Sequence, residues 1–310
     1  MTGSLVALLL GIVLLAWASD QFVIGAARIA VIRRVPPLVI GVVIIGFGTS
    51  SPELLVSSLA ALADQPEVAV GNIVGSNLAN LSLILGIGAL ILPLAVDSST
   101  VRREAPITVA AMALFAVLVQ GGLSVFEGVV LVLAMALALA LVMRRQNSDP
   151  LGSEAVELAG EGHRLGPEAV RTVVGLAGTI GGAQLLLTGA VDLADRAGIS
   201  AGFVGVTLVA VGTSLPELVT VIQSARRKES DLIIGNLLGS NLFNALVVGG
   251  ATGILGPGTL DAPRLTGVAS IGAVVLGSTV TVMMISGRRI SRAEGAALVV
   301  AYAAVVPLLA

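Results

Sequence analysis

Two glutamates carry most of the chemistry that this sequence has to explain. Glu53 closes the run Gly48-Thr-Ser-Ser-Pro-Glu53, and Glu217 closes Gly212-Thr-Ser-Leu-Pro-Glu217. Each is followed by a second polar run, Gly71-Asn-Ile-Val-Gly-Ser-Asn-Leu-Ala-Asn80 and Gly235-Asn-Leu-Leu-Gly-Ser-Asn-Leu-Phe-Asn244. Matching residues, from Thr49 and Thr213 to Asn80 and Asn244, are all 164 positions apart. Both glutamates fall midway along apolar segments, where a carboxylate costs on the order of 3 kcal/mol. No Lys or Arg lies near either, so the counter-charge is a proton or a metal cation. Two protonated glutamates bonded between helices would satisfy the charge. They would leave the oxygen-rich surroundings unexplained.

Proline lacks an N–H and clashes with the preceding turn, and the residue before it avoids the α region. The helix carrying Glu53 is therefore expected to break over about residues 46–51 and restart near Pro52. That frees a carbonyl near Gly48, and near Gly212 in the second copy. Ser51 is the expected cap of the new half-helix. Leu215 stands at that place in the second copy, whose cap must differ. Asn72, Ser76 and Asn80 share one helical stripe, as do Asn236, Ser240 and Asn244. Hydrogen bonding between helices would account for these amides and hydroxyls as well as ion binding does. Gly71-x-x-x-Gly75 and Gly235-x-x-x-Gly239 read as close-packing sites.

The inventory is carboxylates, carbonyls, hydroxyls and amides, without sulfur or imidazole. It suits a hard cation such as Ca²⁺, which takes 6–8 oxygens at about 2.3–2.6 Å. Zn²⁺ or Cu²⁺ would call for His or Cys. The chain has no cysteine, and its one histidine, His163, reads as solvated in a linker.

The elements that position these residues are membrane helices. Of the 310 residues 56% are hydrophobic and only 12% charged, against about 25% charged in soluble domains. Mean hydropathy is +1.03. The 38 glycines fit closely packed membrane helices. A span of ~20 apolar residues recurs ten times, at about 3–30, 38–62, 67–92, 105–121, 125–143, 169–192, 202–225, 231–255, 265–286 and 291–309. Ala16-Trp-Ala18 resembles a signal-peptidase site, but no basic stretch precedes it, so residues 3–30 read as the first membrane helix. Residues 144–168 form a polar linker between a first repeat, 1–143, and a second, 169–310. Ten spans place 15 of the 17 basic residues on one side, which is then cytoplasmic, with both termini outside. Five spans per repeat force the second to enter from the opposite side. The fold class is thus all-α and polytopic, in two inverted five-helix repeats. Near the end the repeat offset becomes 167, since Phe126-Glu-Gly-Val matches Ala293-Glu-Gly-Ala.

The paired motifs around Glu53 and Glu217, with Ser19-Asp-x-Phe-Val-x-Gly25, resemble the Ca²⁺/cation antiporter superfamily and its prokaryotic Na⁺/Ca²⁺ exchanger branch. The resemblance covers nearly the whole chain. It implies Ca²⁺ ligated by Glu53 and Glu217 with the carbonyls of Thr49 and Thr213. It implies Na⁺ ligands among those glutamates, Ser50, Ser214, Ser76, Ser240, Asn80, Asn244 and the carbonyls of Gly46 and Ala210. Helices one and six would slide across the rest to alternate access. Some relatives carry Asp where Asn244 stands here, a pattern that resembles the K⁺-dependent branch. Asn leaves two formal negative charges, which argues for electrogenic exchange without K⁺. Gly75 and Gly239 stand where the H⁺-coupled branch has Glu.

The expected activity is Na⁺/Ca²⁺ antiport in the plasma or inner membrane, with Ca²⁺ and Na⁺ as transported ions and no cofactor. The lipid bilayer is the only other partner expected, with no nucleic acid and no obligate protein partner. H⁺/Ca²⁺ antiport is the rival reading. A cation channel is a further one, disfavoured by inverted halves. A hydrolase built on Ser50 or Ser214 has no evident base, so no enzyme is expected.

Overall fold

The computed structural model describes residues 2–34, 48–96, 101–143 and 163–309. Apart from two short ribbons it is helical. In chain order the helices are α1 (Thr2–Ile32), α2 (Ser51–Leu62), α3 (Pro66–Ile91), α4 (Val101–Leu118), α5 (Val125–Met143), α6 (Leu165–Ala197), α7 (Ala201–Thr213), α8 (Leu215–Arg227), α9 (Ser230–Leu255), α10 (Arg264–Gly287) and α11 (Arg292–Val305). Among the described residues six are long and apolar enough to cross a membrane, and α7 with α8, bent by 45°, makes a seventh if the pair is counted as one span. The chain is an all-helical, polytopic integral membrane protein. The sixth expected span is longer than 169–192 at both ends. The polar stretch 144–162 lies outside the described residues.

Symmetry in the sequence becomes symmetry of elements. In α3 the helix widens to a π turn at Asn80–Ile84, and in α9 at Asn244–Val248. The two turns begin at the last residues of the two polar stripes. A π turn inserts one residue and is common at functional sites. Here it begins where the Asn–Ser–Asn stripe ends and rotates the residues beyond it.

The ribbons were not legible in the sequence. Leu94–Ala95 (β1) pairs with Arg289–Ile290 (β4), and Gly122–Leu123 (β2) pairs with Gly258–Thr259 (β3). Each ribbon joins one half of the chain to the other. Strands of two residues leave no periodic signal.

α1 and α6 pack against each other along their length. A Cβ on Gly11 would lie 2.4 Å from the Leu186 nitrogen, and one on Gly175 would lie 2.4 Å from that of Phe22. Only glycine allows such approach. Both ends of the pair are pinned. At one, Arg28 Nη1 meets Glu168 Oε1 at 3.2 Å, and at the other the Ser4 hydroxyl bonds Asp192. His163 is not simply solvated: its Nδ1 is 3.5 Å from Glu168 Oε1.

The last helix starts with a complete capping box. Ser291 Oγ accepts from the Glu294 N–H at 3.3 Å, and Glu294 Oε2 accepts from the Ser291 N–H at 2.7 Å. Removing such a cap costs about 1 kcal/mol. Ser291→Ala is expected to lower the thermal midpoint in detergent. An unshifted melt would show that the cap contributes nothing.

Candidate cation site

The helix carrying Glu53 starts where expected, near Pro52, and in the second copy α7 and α8 meet at a break at Ser214. The caps differ from the expected one, and residues 46 and 47 lie outside the described residues. α2 begins at Ser51 and α8 at Leu215, each with proline second and glutamate third. The cap position is therefore Ser50 in one copy and Ser214 in the other, not Ser51. Both caps share nearly one backbone conformation, φ −89°, ψ 12° and φ −85°, ψ 10°. Ser51 Oγ is buried without a partner. The Gly48 carbonyl is not free either, since it accepts the Ser51 N–H at 3.1 Å. One chemistry thus serves both copies, and the Ser51/Leu215 difference has no capping consequence.

Neither cap serine bonds its own helix with its side chain. Ser50 Oγ donates to Glu217 Oε1 at 3.2 Å, and Ser214 Oγ donates to Glu53 Oε1 at 2.9 Å. The hydroxyl of each repeat thus serves the carboxylate of the other. Ser240 Oγ adds a second donor to Glu217 Oε1 at 3.3 Å. Both glutamates have zero exposure and sit in the first turn of a helix, where the backbone dipole favours negative charge. Among the described residues neither has an ion pair. Their Oε2 atoms are buried and have no partner.

The stripes close around this centre. Asn72 Nδ2 donates to Ser57 Oγ at 2.9 Å and to the Glu53 carbonyl at 3.4 Å. Thr213 Oγ1 donates to Asn72 Oδ1 at 3.0 Å and lies 3.4 Å from Ser76 Oγ. In the second copy Thr49 Oγ1 reaches Asn236 Oδ1 only at 3.5 Å, and Asn236 Nδ2 has no partner. Asn80 Nδ2 donates to Asn241 Oδ1 at 2.9 Å, leaving Asn80 Oδ1 unpartnered. Asn244 is buried with neither side-chain atom bonded. The Ala210 carbonyl accepts the Ser214 N–H at 3.0 Å and the Thr213 hydroxyl at 3.1 Å. Gly46 lies outside the described residues.

Three polar residues were missed as site candidates. Asn77 and Asn241 repeat at the same 164 spacing and meet through Asn241 Nδ2 and the Asn77 carbonyl at 3.3 Å. The repeat itself could have flagged them. Ser57 has Val221 as its counterpart, so no repetition marks it.

Among the described residues no group of three or more His, Cys, Asp or Glu gathers to hold a metal. Any cation here must take most of its ligands from neutral oxygens. Buried carboxylates without a protein counter-charge, in a helical membrane protein, mark an ion pathway. Together they define a cation transporter.

The comparisons place it more closely. The model of the sodium/calcium exchanger protein family matches residues 3–144 and 168–309, and the chain belongs to that family. Sodium/calcium exchanger MaX1 of Methanosarcina acetivorans is 30% identical over 342 residues, covering 97% of each chain. Inner membrane protein YrbG of Escherichia coli is 35% identical over 264 residues, covering 82% of this chain and 80% of that one. A solved structure of the sodium-calcium exchanger NCX_Mj superposes with a TM-score of 0.68 at 28% identity, over 99% of this chain and 98% of that one. The protein is a transporter of the cation/Ca²⁺ exchanger kind, not an enzyme.

Proposed function

We propose that the chain is a Na⁺/Ca²⁺ antiporter working by alternating access, with ten spans in two inverted five-helix repeats, 1–143 and 169–310, joined by a cytoplasmic linker. It belongs in the plasma or inner membrane with both termini outside. The two ribbons support this topology, because each joins segments that ten spans put on one side. The basic-residue asymmetry supports the orientation, and the relative YrbG, named as an inner membrane protein, supports the compartment.

The observation that carries the reading is the crossed pair. Two buried carboxylates each take a serine from the opposite repeat and keep a second oxygen without a partner. A cation between the repeats satisfies both Oε2 atoms at once. Glu53 and Glu217 with the carbonyls of Thr49 and Thr213 hold Ca²⁺. Na⁺ takes the same glutamates with Ser50, Ser214, Ser76, Ser240, Asn80, Asn244 and the carbonyls of Gly46 and Ala210. Two formal charges balance one Ca²⁺, so exchange for more than two Na⁺ moves net charge outward to inward as Ca²⁺ leaves.

The test is Ca²⁺ uptake into Na⁺-loaded proteoliposomes with the voltage clamped. Uptake should require the Na⁺ gradient and accelerate with an inside-positive potential, because more than two Na⁺ leave for each Ca²⁺ that enters. Uptake driven equally by a pH gradient alone, or unaffected by removing Na⁺, would replace Na⁺ coupling with H⁺ coupling or uniport.

A further inference from the structure

Asp20 and Arg28 are the only charged residues of α1. Asp20 takes no part in the centre just described, yet it is exposed within the helix rather than packed. It faces a cavity of about 300 Å³ between α1, the turn at Gly48–Thr49 and α8. Ser19, Thr49, Thr220 and Gln223 line the same space. At one end the cavity reaches Thr49, beside the helix break. At the other it approaches the basic ends of α1 and α8: Asp20 is eight residues from Arg28, about 12 Å of helix, and Gln223 is three from Arg226.

A structural role would give this carboxylate a partner. Its one hydrogen bond comes from the adjacent Gln21, at 3.2 Å, and among the described residues it has no ion pair. Arg171, on the neighbouring α6, is itself paired with Glu168 Oε2 at 3.4 Å. The polarity is also one-sided. At the offset of 164, the counterparts of Ser19, Asp20, Thr220 and Gln223 are Ala183, Gln184, Val56 and Leu59. Ala183, Val56 and Leu59 belong to an apolar cluster packed around α6. The sequence therefore builds a polar approach on one face of the site and an apolar one on the other. A carboxylate in an apolar span that faces a cavity marks an ion path, and low-dielectric walls focus its field.

We propose that Asp20 forms a cation-recruiting subsite in the inner approach, taking hydrated Ca²⁺ or Na⁺ between the cytoplasm and the Glu53–Glu217 centre. It rests on the exchanger reading and its topology. It gives the inner approach a charged waiting position where the matching place on α6 holds the neutral Gln184.

The test compares wild type and Asp20→Asn in inside-out and right-side-out vesicles, following Na⁺-driven Ca²⁺ flux. In the variant the KM for Ca²⁺ at the inner face should rise on the order of 5-fold. The KM at the outer face and the rate at saturating Ca²⁺ should hold. High ionic strength should erase the difference, and Asp20→Glu should restore it. An unchanged inner KM, or equal changes at both faces, overturns the subsite. If Asp20→Asn does not fold, the pair Thr220→Val and Gln223→Leu, which copies the apolar side, should raise the inner KM alone; no change there overturns it equally. Absence of Na⁺-driven flux in wild type strikes the exchanger reading itself, and the subsite falls with it.

Discussion

Glu217→Gln is expected to lower Na⁺-driven Ca²⁺ uptake by at least ~100-fold while the chain folds normally. Glutamine keeps the shape and can still accept from Ser50 and Ser240, whose hydroxyls lie 3.2 and 3.3 Å from Oε1. What is lost is one of the two formal charges facing a divalent cation. A unit charge pair at 4 Å is worth about 4 kcal/mol at an effective dielectric near 20. Each 1.4 kcal/mol is tenfold in affinity, so the expected loss exceeds 100-fold even after partial compensation. Stability should move the other way. Burying a neutral amide is cheaper than burying an unpaired carboxylate, and the residue is fully buried. The thermal midpoint in ion-free detergent should equal or exceed that of wild type. Stabilisation by added Ca²⁺, which follows ligand occupancy, should disappear. Glu53→Gln should behave alike, since Ser214 supplies its donor at 2.9 Å. Flux within tenfold of wild type in either folded variant would remove the carboxylate pair from the transport path.

The candidate site was legible because its residues are polar where everything around them is apolar, and because they recur. Apolar periodicity and the prolines located the helices and the break before Glu53 and Glu217. The basic residues gave the side-to-side order that the proposed topology uses. What stayed hidden depends on contacts between the halves. Nothing in Gly48-Thr-Ser-Ser-Pro-Glu53 says that Ser50 bonds Glu217 and not Glu53, since that follows from how α2 and α8 face each other. The capping error has the same root: Ser51 has the right chemistry for a cap, but the helix starts one residue earlier. Repetition also misleads where the halves differ. Asn72 is held at both ends of its amide, partly by Ser57. The second copy has Val221 where Asn72 has Ser57, and among the described residues the amide nitrogen of Asn236 has no partner.

The same broken symmetry separates two glycines that the sequence makes equivalent. Gly75→Ala is expected to destabilise the protein by about 2 kcal/mol, within the range of an overpacked core, whereas Gly239→Ala should be neutral or mildly stabilising. A Cβ on Gly75 would sit 2.4 Å from the Val206 carbonyl oxygen, 2.6 Å from Val206 Cα and 2.7 Å from Ala210 Cβ. Two of those atoms are backbone, so no rotamer relieves the clash. α3 and α7 would have to part, at the point where Ser76 and Thr213 lie across from each other. Transport should fall along with stability. Among the described residues nothing lies within 4 Å of a Cβ added to Gly239; the counterparts of Val206 and Ala210, at positions 42 and 46, lie outside them. With no described residue in the way, the intrinsic preference of helices for Ala over Gly, about 1 kcal/mol, sets the expected effect. The measurement is the thermal midpoint of each variant in detergent, paired with the yield of monodisperse protein. Equal shifts for the two would mean that α3 and α9 are packed alike, and that the asymmetry around the site is not a property of the folded chain.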